Sequence, residues 1–312
     1  MQVEINQLQI AWVIPCLNEE ATIAQVVAEA RCALPQARIV VVDNGSEDAT
    51  ACRAQEAGAE VLHCARRGKG VAYREAFARI EADIYLTIDG DATYGLEAVS
   101  EHLQTFVSGH YDLLVGNRLQ AQSAHARTGH YWGNQQFAKI MSQMFERPIQ
   151  DPFSGYRIMS RRFVHSFPSV ANGFEVETEM TVHAMDLDLN WIEVPIEYRS
   201  RPEDSQSKLN TYRDGSKILL KLLGLYQMKK PLTFYGSLSL VLAFISSLLF
   251  LLPLIDFINT GEVARFPTLI VSMSGFVMAL LMLLLAIVLH NNNRNTREIK
   301  RFLFRSQPYL RQ

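Results

Sequence analysis

Two long runs without a charged side chain, residues 232–255 and 266–289, constrain the fold of this chain more than any other feature. An α-helix rises about 1.5 Å per residue, so each run is long enough to cross the roughly 30 Å hydrocarbon core of a bilayer. A buried hairpin in a soluble protein is the alternative, and two such runs in succession disfavour it. The sequence therefore predicts a transmembrane helix hairpin over residues 232–290.

Charges on either side of the runs predict an orientation. The connecting loop has one basic residue, Arg265, whereas Lys229 and Lys230 precede the first run. The last 22 residues carry Arg294, Arg297, Lys300, Arg301, Arg305 and Arg311 against the single acid Glu298. The positive-inside rule then places residues 1–230 and the basic tail, 291–312, in the cytoplasm. Residues 213–231 have apolar side chains on one helical face and lysines opposite, which predicts an interfacial amphipathic helix.

Overall composition excludes some classes of protein. The formal net charge is −2, so no global basic field points to nucleic acid. The four cysteines form no C-x-x-C pair, which fits neither a zinc framework nor a disulfide scaffold and suits a reducing cytosol. The first residues have no signal-peptide pattern, so we expect no cleaved leader.

Strand and helix patterns alternate along the first part of the chain. Strands are predicted at residues 10–14, 38–42, 60–63 and 83–89, and helices at residues 22–33, 49–57 and 68–80. This order is typical of an α/β fold with a mostly parallel sheet and helices on both faces. Neither G-x-G-x-x-G after the first strand nor G-x-x-x-x-G-K-[ST] is present, which disfavours a dinucleotide dehydrogenase or a P-loop NTPase.

Polar residues follow three of these strands. Asn18 and Glu19 come after the first, Asp43 after the second, and Asp89 and Asp91 after the fourth. Ligands bind beyond the carboxyl ends of strands in such sheets. Two carboxylates one residue apart can share a divalent cation, although a polar turn is the alternative for an isolated Asp-x-Asp. We expect the intervening Gly90 to permit a sharp exit from the strand.

Several motifs together resemble a known family. They are Pro15-x-x-Asn18-Glu19, Val42-Asp43-Asn44-Gly45-Ser46, Gly68-Lys69-Gly70, Asp89-Gly90-Asp91, Gly116-Asn117-Arg118, Asp151-Pro152-Phe153-Ser154-Gly155-Tyr156-Arg157, Gly173-Phe174 with Glu177 and Glu179, and Ser207-Lys208-Leu209. Over roughly residues 8–215 the chain resembles family 2 glycosyltransferases of the GT-A fold, in the polyprenyl-phosphate branch that includes dolichol-phosphate mannose synthases. Many of those synthases read Asp-Ala-Asp-Leu-Gln where this chain has Asp-Gly-Asp-Ala-Thr, which leaves the donor sugar open.

The resemblance implies a role for each motif on the donor side. Pro15, Asn18, Glu19, Asp43, Lys69, Asp89 and Lys208 are implied to bind a UDP- or GDP-linked sugar. Asp43 contacts the base or ribose, Lys69 a phosphate or base, and Lys208 closes as a lid. Asp89 and Asp91 would hold Mg²⁺ or Mn²⁺ on the diphosphate. A turn-forming role for Asp43 and a solvated loop position for Lys69 are the alternatives.

The acceptor side follows from charge. A phosphate monoester has a second pKa near ~6, so a lipid phosphate is already ionised and needs cations more than a base. Arg118 follows a strand-like run and is the first candidate, and Arg127 lies in a polar segment that we interpret as an acceptor loop. Asp151, Glu177 and Glu179 could orient the sugar or these arginines, and a helix-surface position for Glu177 is equally compatible with the sequence.

We therefore expect a glycosyltransferase with Asp91, Arg118, Asp151 and Glu179 as its catalytic residues. The predicted parts are a cytoplasmic GT-A domain (1–212), the interfacial helix (213–231), the hairpin (232–290) and the basic tail (291–312). It would transfer a sugar to a polyprenyl phosphate at a bacterial or archaeal cytoplasmic membrane. The alternatives are another lipid or saccharide acceptor, or a nucleotide-sugar sensor without turnover. The sequence leaves open the oligomeric state, including a homo-oligomer.

Overall fold

A sheet whose five inner strands are largely buried forms the centre of the N-terminal part of the chain. The computed structural model describes residues 5–118, 128–168, 173, 175–199, 224 and 226–309, with the backbone alone at residues 6 and 128–134. Arg127, Lys208 and most of the predicted interfacial helix lie outside the described residues.

The sheet has seven strands in the order β3-β2-β1-β4-β6-β5-β7. The strands are β1 (Ile10–Cys16), β2 (Arg38–Asp43), β3 (Glu60–His63), β4 (Ile84–Thr87), β5 (Leu113–Asn117), β6 (Arg157–Ser160) and β7 (Trp191–Pro195). All pairings are parallel except those of β6, which runs antiparallel to both β4 and β5. The prediction of a mostly parallel GT-A-like sheet is therefore confirmed, and the fourth strand ends at Thr87 rather than at Asp89.

Helices cover both faces of the sheet. They are α1 (Ile23–Ala33), α2 (Thr50–Glu56), α3 (Lys69–Arg79), α4 (Val99–Ser108), α5 (Thr128–Phe145), α6 (Arg161–Ser166) and α7 (Val176–Asp186). In α1 the buried residues Ile23, Val26, Val27 and Ala30 have the i, i+3, i+4, i+7 spacing of a single helical face.

Alternation along β1 divides the apolar interior into two clusters. Trp12 and Ile14 point into one cluster, with residues of α1 and α4. Val13 points into the other, with residues of α3, α6 and α7. Successive strand side chains face opposite sides of a sheet, so one apolar strand supplies both cores.

The reversed strand β6 decides which loops meet. Its first residue, Arg157, pairs with Thr87 of β4 and with Val115 of β5. Because β6 runs the other way, the residues before it lie at the same edge as the residues after β4 and β5. The 151–156 segment therefore joins the carboxyl edge of the sheet.

The chain divides into two compact units, residues 1–211 with 300–312, and residues 212–299. The second unit contains most of two long helices, α8 (Pro231–Thr260) and α9 (Phe266–Ser306). Both are long and apolar enough to cross a membrane, and only 17% of the most apolar window of each is buried. Inside this unit Ser239 Oγ donates to the Ala279 carbonyl (2.6 Å), and Gly275 lies against Ser246, so small residues let the helices approach closely.

Residues after 299 belong to the first unit and pack into it. Phe304 is buried in the second apolar cluster. The Arg162 guanidinium carbon lies 4.7 Å from the ring centre of Phe304 and 4.9 Å from that of Tyr309. Arg162 also makes two bonds to the buried Asp112 (2.6 and 2.8 Å), and the Tyr309 hydroxyl donates to the Tyr111 carbonyl (3.0 Å). We call residues 300–309 the docked tail.

Candidate active site

Loops from several strands meet at the carboxyl edge of the sheet. β1, β2, β4 and β5 end there, and β6 begins there. The predicted site residues at or beside this edge are Pro15, Asn18, Glu19, Asp43, Asp89, Asp91, Arg118 and Asp151. Sequence reasoning predicted that six of these eight residues, all but Pro15 and Asp151, lie at one edge of the sheet, as the structure has them, and their roles stay a prediction.

The loops after β1 and β2 are tied together by polar side chains. Asn18, with a positive φ of 53°, accepts from the Glu47 backbone N–H at 2.8 Å. Asp43 is buried and accepts from the Ser46 backbone N–H at 3.1 Å, which is the turn-forming role considered as its alternative. Its other carboxylate oxygen lies 3.2 Å from His63 Nδ1, so Asp43 also organises the end of β3.

Asn44 connects this region to helix α3, a role that the sequence motif containing it did not predict. The side chain is buried, and its Oδ1 accepts from the Gly68 backbone N–H at 3.1 Å. Gly68 has a φ of 136°, a conformation that only glycine adopts readily, immediately before Lys69 begins α3. The local signal was Gly68-Lys69-Gly70 itself, whose first glycine lets the chain turn into the helix.

Lys69 lies between two carboxylates and is not a solvated loop lysine. Its Nζ donates to Asp89 Oδ1 at 2.6 Å and forms an ion pair with Glu177 of α7. Burial opposes the charged form of Lys69, but Asp89 and Glu177 outweigh it and hold the Lys69 pKa well above its usual value. Glu177 is 2% exposed, so the alternative that it lies on the surface of a helix is wrong. Burial raises the pKa of Glu177, and Lys69 offsets only part of that rise.

Tyr94 and Gly155 hold the other side of Asp89. The Tyr94 hydroxyl accepts from the Gly155 backbone N–H at 2.8 Å and donates to Asp89 Oδ2 over a longer 3.4 Å. Burial raises the pKa of Tyr94, and Asp89 raises it further, so the hydroxyl stays protonated. A Cβ on Gly155 would lie 2.8 Å from both Asp89 oxygens. Only glycine therefore lets the backbone come this close to the Asp89 carboxylate.

At Gly90, too, the need for glycine comes from a close neighbouring side chain and not from the backbone angle. Its φ is not positive, so the expected sharp exit from the strand is not its reason. A Cβ there would lie 2.5 Å from Sγ of the buried Cys16 at the end of β1. Burial raises the pKa of the Cys16 thiol well above its usual value, with Glu19 and Asp89 adding to the rise.

Asp91 is buried beneath the loop that it begins. Its Oδ1 accepts from the Thr93 hydroxyl at 2.6 Å and from the Thr93 backbone N–H at 3.3 Å. Between them Ala92 has a positive φ of 56°, which is uncommon for alanine. Such strain clusters at functional sites, and here the Asp91–Thr93 bonds hold it in place.

Two carboxylates at this edge are candidate ligands for a hard divalent cation, and the described residues contain no group of three or more His, Cys, Asp or Glu side chains that could hold one alone. Asp89 and Asp91 offer carboxylate oxygens, the ligands that Mg²⁺ and Mn²⁺ accept while keeping positions for water and phosphate. The ammonium of Lys69 against Asp89 Oδ1 shows that this carboxylate accommodates a cationic partner. The assignment of Asp89 and Asp91 as metal ligands stays a prediction.

Arg118 is held by Asp151 at the end of β5. Arg118 Nε and Nη2 donate to the two Asp151 oxygens at 2.7 and 2.8 Å, and the Arg118 backbone N–H donates to the same carboxylate at 3.1 Å. The guanidinium carbon lies 5.5 Å from the ring centre of Tyr198. Burial opposes its charge, but the Asp151 carboxylate outweighs burial and holds the Arg118 pKa well above its usual value. Asp151 therefore orients Arg118, one of the two roles considered for it.

Two further side chains, the half-buried Glu193 and the buried Arg157, shape the 151–155 loop. Glu193 of β7 accepts from the Gln150 and Asp151 backbone N–H groups at 3.0 to 3.1 Å. Arg157, 1% exposed, donates to the Ser154 and Pro152 carbonyls, both at 3.0 Å. No local pattern points to Glu193, because its contact depends on which strand lies beside β5.

The remaining predicted residues are not gathered as closely. Glu179 is half-buried on α7, and its predicted catalytic role stays untested. Arg127 and Lys208 lie outside the described residues. Next to the segment that carries Lys208, Tyr198 packs against Tyr94 with ring centres 5.5 Å apart, and the Arg199 backbone N–H donates to the Thr93 carbonyl at 2.7 Å.

The sheet order with one reversed strand and the two long apolar helices that follow it define a GT-A-like α/β protein. The family model described as glycosyl transferase family 2 matches residues 11–167, half of the chain. The chain belongs to this family and is a glycosyltransferase, as the sequence motifs predicted.

Two of the curated relatives from Haloferax volcanii cover two thirds of this chain or more. Glycosyltransferase AglJ is 32% identical over 229 residues, covering 72% of this chain and 74% of its own length. A dolichyl-phosphate hexose transferase is 30% identical over 210 residues, covering 67% of this chain and 90% of its own length. The likeness to both extends well beyond the part that the family model matches.

The fold also resembles a solved glycosyltransferase structure. Glucosyl-3-phosphoglycerate synthase from Mycobacterium tuberculosis, in complex with Mn²⁺ and UDP-glucose, superposes with a TM-score of 0.53 at 25% identity. The match covers 70% of this chain and 80% of that one.

Proposed function

We propose that the chain transfers a sugar from a nucleotide diphosphosugar to a polyprenyl phosphate at the cytoplasmic face of a membrane. The observation that carries the proposal is the meeting of two groups at one sheet edge. The carboxylates of Asp89 and Asp91 suit a metal-bound diphosphate, and Arg118, held by the buried Asp151, suits a phosphate acceptor. The relative named for dolichyl phosphate supports a lipid acceptor.

The donor would lie across the loops after β1, β2 and β4. The buried Asp43, with His63 beside it, offers a carboxylate to the base or ribose. Lys69 supplies positive charge under the diphosphate, next to Asp89. Asp89 and Asp91 would hold Mg²⁺ or Mn²⁺, which when bound offsets the charge that develops on the leaving nucleoside diphosphate.

The acceptor phosphate needs orientation more than deprotonation. A phosphate monoester is largely ionised at neutral pH, so its oxygen can attack the anomeric carbon directly. The new carbon–oxygen bond forms as the bond to the diphosphate breaks, which inverts the anomeric centre and releases the nucleoside diphosphate. Arg118 is held in place by Asp151 and by the Tyr198 ring, so it can orient the phosphate with little loss of side-chain freedom.

A membrane position would bring this site to its lipid. The helices α8 and α9 expose large apolar side chains along their length, which water would not favour. Both are long enough to span a bilayer, so we propose that they act as a membrane anchor. The first unit, residues 1–211 with 300–312, would then work at the cytoplasmic surface, and we call it the catalytic unit.

A lipid-product assay tests the proposal. Purified full-length protein is incubated with Mn²⁺, a polyprenyl phosphate and a panel of UDP- and GDP-sugars, and the lipid fraction is examined by mass spectrometry. We expect one donor to give a glycosylated polyprenyl phosphate. Donor binding without any product would favour the sensor, and a product on another lipid or saccharide would identify another acceptor.

A further inference from the structure

A partly buried ion-pair cluster includes the proposed metal carboxylate, Asp89. The ammonium of Lys69 is shared by two carboxylates from different elements, Asp89 after β4 and Glu177 in the first turn of α7. The Glu177 side chain is 3% exposed and that of Lys69 is 13% exposed, whereas that of Asp89 is 26% exposed. Asp89 is therefore the more exposed carboxylate of the cluster, and Glu177 is the buried one.

The buried Glu177 carboxylate needs a cation beside it. A buried carboxylate without a partner is strongly unfavourable, and removing one member of a buried ion pair destabilises the other. Lys69 forms an ion pair with Glu177, and the buried Arg157 adds positive charge nearby, so Lys69 is the cation that directly offsets part of the cost of burying this carboxylate. The favourable position of an acid in the first helical turn does not explain why the side chain turns inward onto Lys69.

The more exposed carboxylate, Asp89, can interact with either of two cations. A divalent ion on Asp89 and the ammonium of Lys69 would compete for the same negative charge, because like charges close together repel. With Glu177 present, Lys69 keeps a carboxylate partner when the Asp89 carboxylate binds the metal. Without Glu177, the Lys69–Asp89 pair would have to be weakened before the metal could bind.

We propose that Glu177 is a positioning residue, which retains Lys69 and so frees the charge of Asp89 for a divalent cation. The inference rests on the proposed function, because it takes Asp89 as a metal ligand. It assigns to Glu177 a part in metal binding that acts through a neighbouring lysine and involves no contact with sugar or lipid.

Mn²⁺ binding to the full-length detergent-solubilised protein tests the inference, with free Mn²⁺ measured by electron paramagnetic resonance. Glu177→Gln should weaken Mn²⁺ binding roughly tenfold, the scale of one charged hydrogen-bonding partner. Lys69→Met should tighten it, because the competing ammonium is gone. In the Lys69→Met background, Glu177→Gln should change Mn²⁺ binding by less than about twofold.

Glu175→Gln, at the cap of the same helix, is the matched control and should leave Mn²⁺ binding unchanged. An equal loss from Glu177→Gln in both backgrounds would overturn the inference, since Glu177 would then act by charge alone and not through Lys69. Unchanged binding in Lys69→Met would also overturn it, even if Glu177→Gln alone failed to fold. Asp89→Asn separates the two proposals: if it keeps full Mn²⁺ binding, the metal assignment itself is wrong.

Discussion

The two oxygens of the Asp89 carboxylate are held from different directions. Lys69 contacts Oδ1, the Tyr94 hydroxyl contacts Oδ2, and Gly155 leaves just enough space beside both. A carboxylate oriented in this way loses little freedom when it takes a ligand, which is the general advantage of a preorganised site. Small changes in this surrounding shell should therefore affect function more than stability.

Gly155→Ala is the sharpest test of that shell. The added Cβ would lie 2.8 Å from both Asp89 oxygens, so the carboxylate or the loop must move. We expect transfer to fall roughly a hundredfold, the scale of a 1 Å misplacement, with thermal stability largely retained. Gly236→Ala is the control, because a Cβ there meets nothing within 4 Å. Equal activity in the two variants would show that the position of Asp89 is not critical.

Asp91→Asn should abolish transfer while leaving the fold intact. Asparagine keeps an oxygen that can accept from the Thr93 hydroxyl and N–H, so the loop geometry survives while the charge for a metal is lost. Transfer and thermal unfolding of the same preparation give the measurement. Near-normal activity in this variant, or in wild type with excess chelator, would contradict the metal assignment.

Arg118→Lys should lose transfer and keep donor binding. Lysine cannot reproduce the two bonds from Nε and Nη2 to Asp151, and it cannot present a planar fork to a phosphate. We expect a loss of roughly ten- to a hundredfold, with a raised requirement for polyprenyl phosphate. Asp151→Asn should act in the same direction, because it releases the same guanidinium.

Calorimetry with the nucleotide sugar and a lipid-product assay on one preparation decide the Arg118 assignment. If donor binding collapses together with transfer, Arg118 belongs to the nucleotide site and not to the acceptor site.

Among single residues, the sequence predicted the parts of the site that local motifs carry. Asp43, Asp89 and Arg118 follow strands, so a parallel sheet alone brings them to one edge. The partners of these residues were not predictable in the same way. Glu177 and Glu193 contact the site through helix packing and strand order, which no local spacing encodes.

At the scale of elements, the reversed strand β6 is the feature that a strand–helix alternation does not predict. Its buried residues, such as Ile158, read as apolar in either direction, because the alternation of side chains in a strand does not depend on chain direction. The helices were easier: α1, α2 and α3 begin and end within one residue of the predicted bounds, since their apolar spacing and flanking glycines are local signals.

Helix α4 gives the catalytic unit a dependence on pH. His102 is buried on this helix with Nδ1 2.8 Å from the Tyr156 hydroxyl, and burial lowers its pKa. Its unfolded value is about 6.5, so neutral His102 contributes stability above that pH. The contribution is lost as the pH falls through the lower folded-state pKa, because the unfolded state binds the proton more readily.

We therefore expect wild type to lose more thermal stability than His102→Gln between about pH 7.5 and about pH 5.5. Thermal unfolding of both proteins at the two pH values gives the measurement, and exposed His290→Gln is the control. If wild type and His102→Gln lose the same stability, His102 does not contribute to the pH dependence.

At the scale of the whole molecule, the charge pattern predicts that the loop between α8 and α9 faces the outside. Thr260→Cys in intact cells should react with a membrane-impermeant maleimide. The wild-type protein should not react, although Cys32 and Cys52 are exposed on the catalytic unit, because that unit would be cytoplasmic. Labelling of position 260 only after the membrane is opened would refute this topology.

The docked tail has a consequence for the order in which the chain is made. Phe304 completes an apolar cluster of the catalytic unit, yet about 90 residues separate it from Thr211, where the first stretch of that unit ends. At roughly 5–20 residues per second, the ribosome needs about 5–20 s to supply those residues. During that interval all seven strands have been synthesised but the aromatic partners of Arg162 have not, so the last packing step of this unit must wait for both long helices to be synthesised.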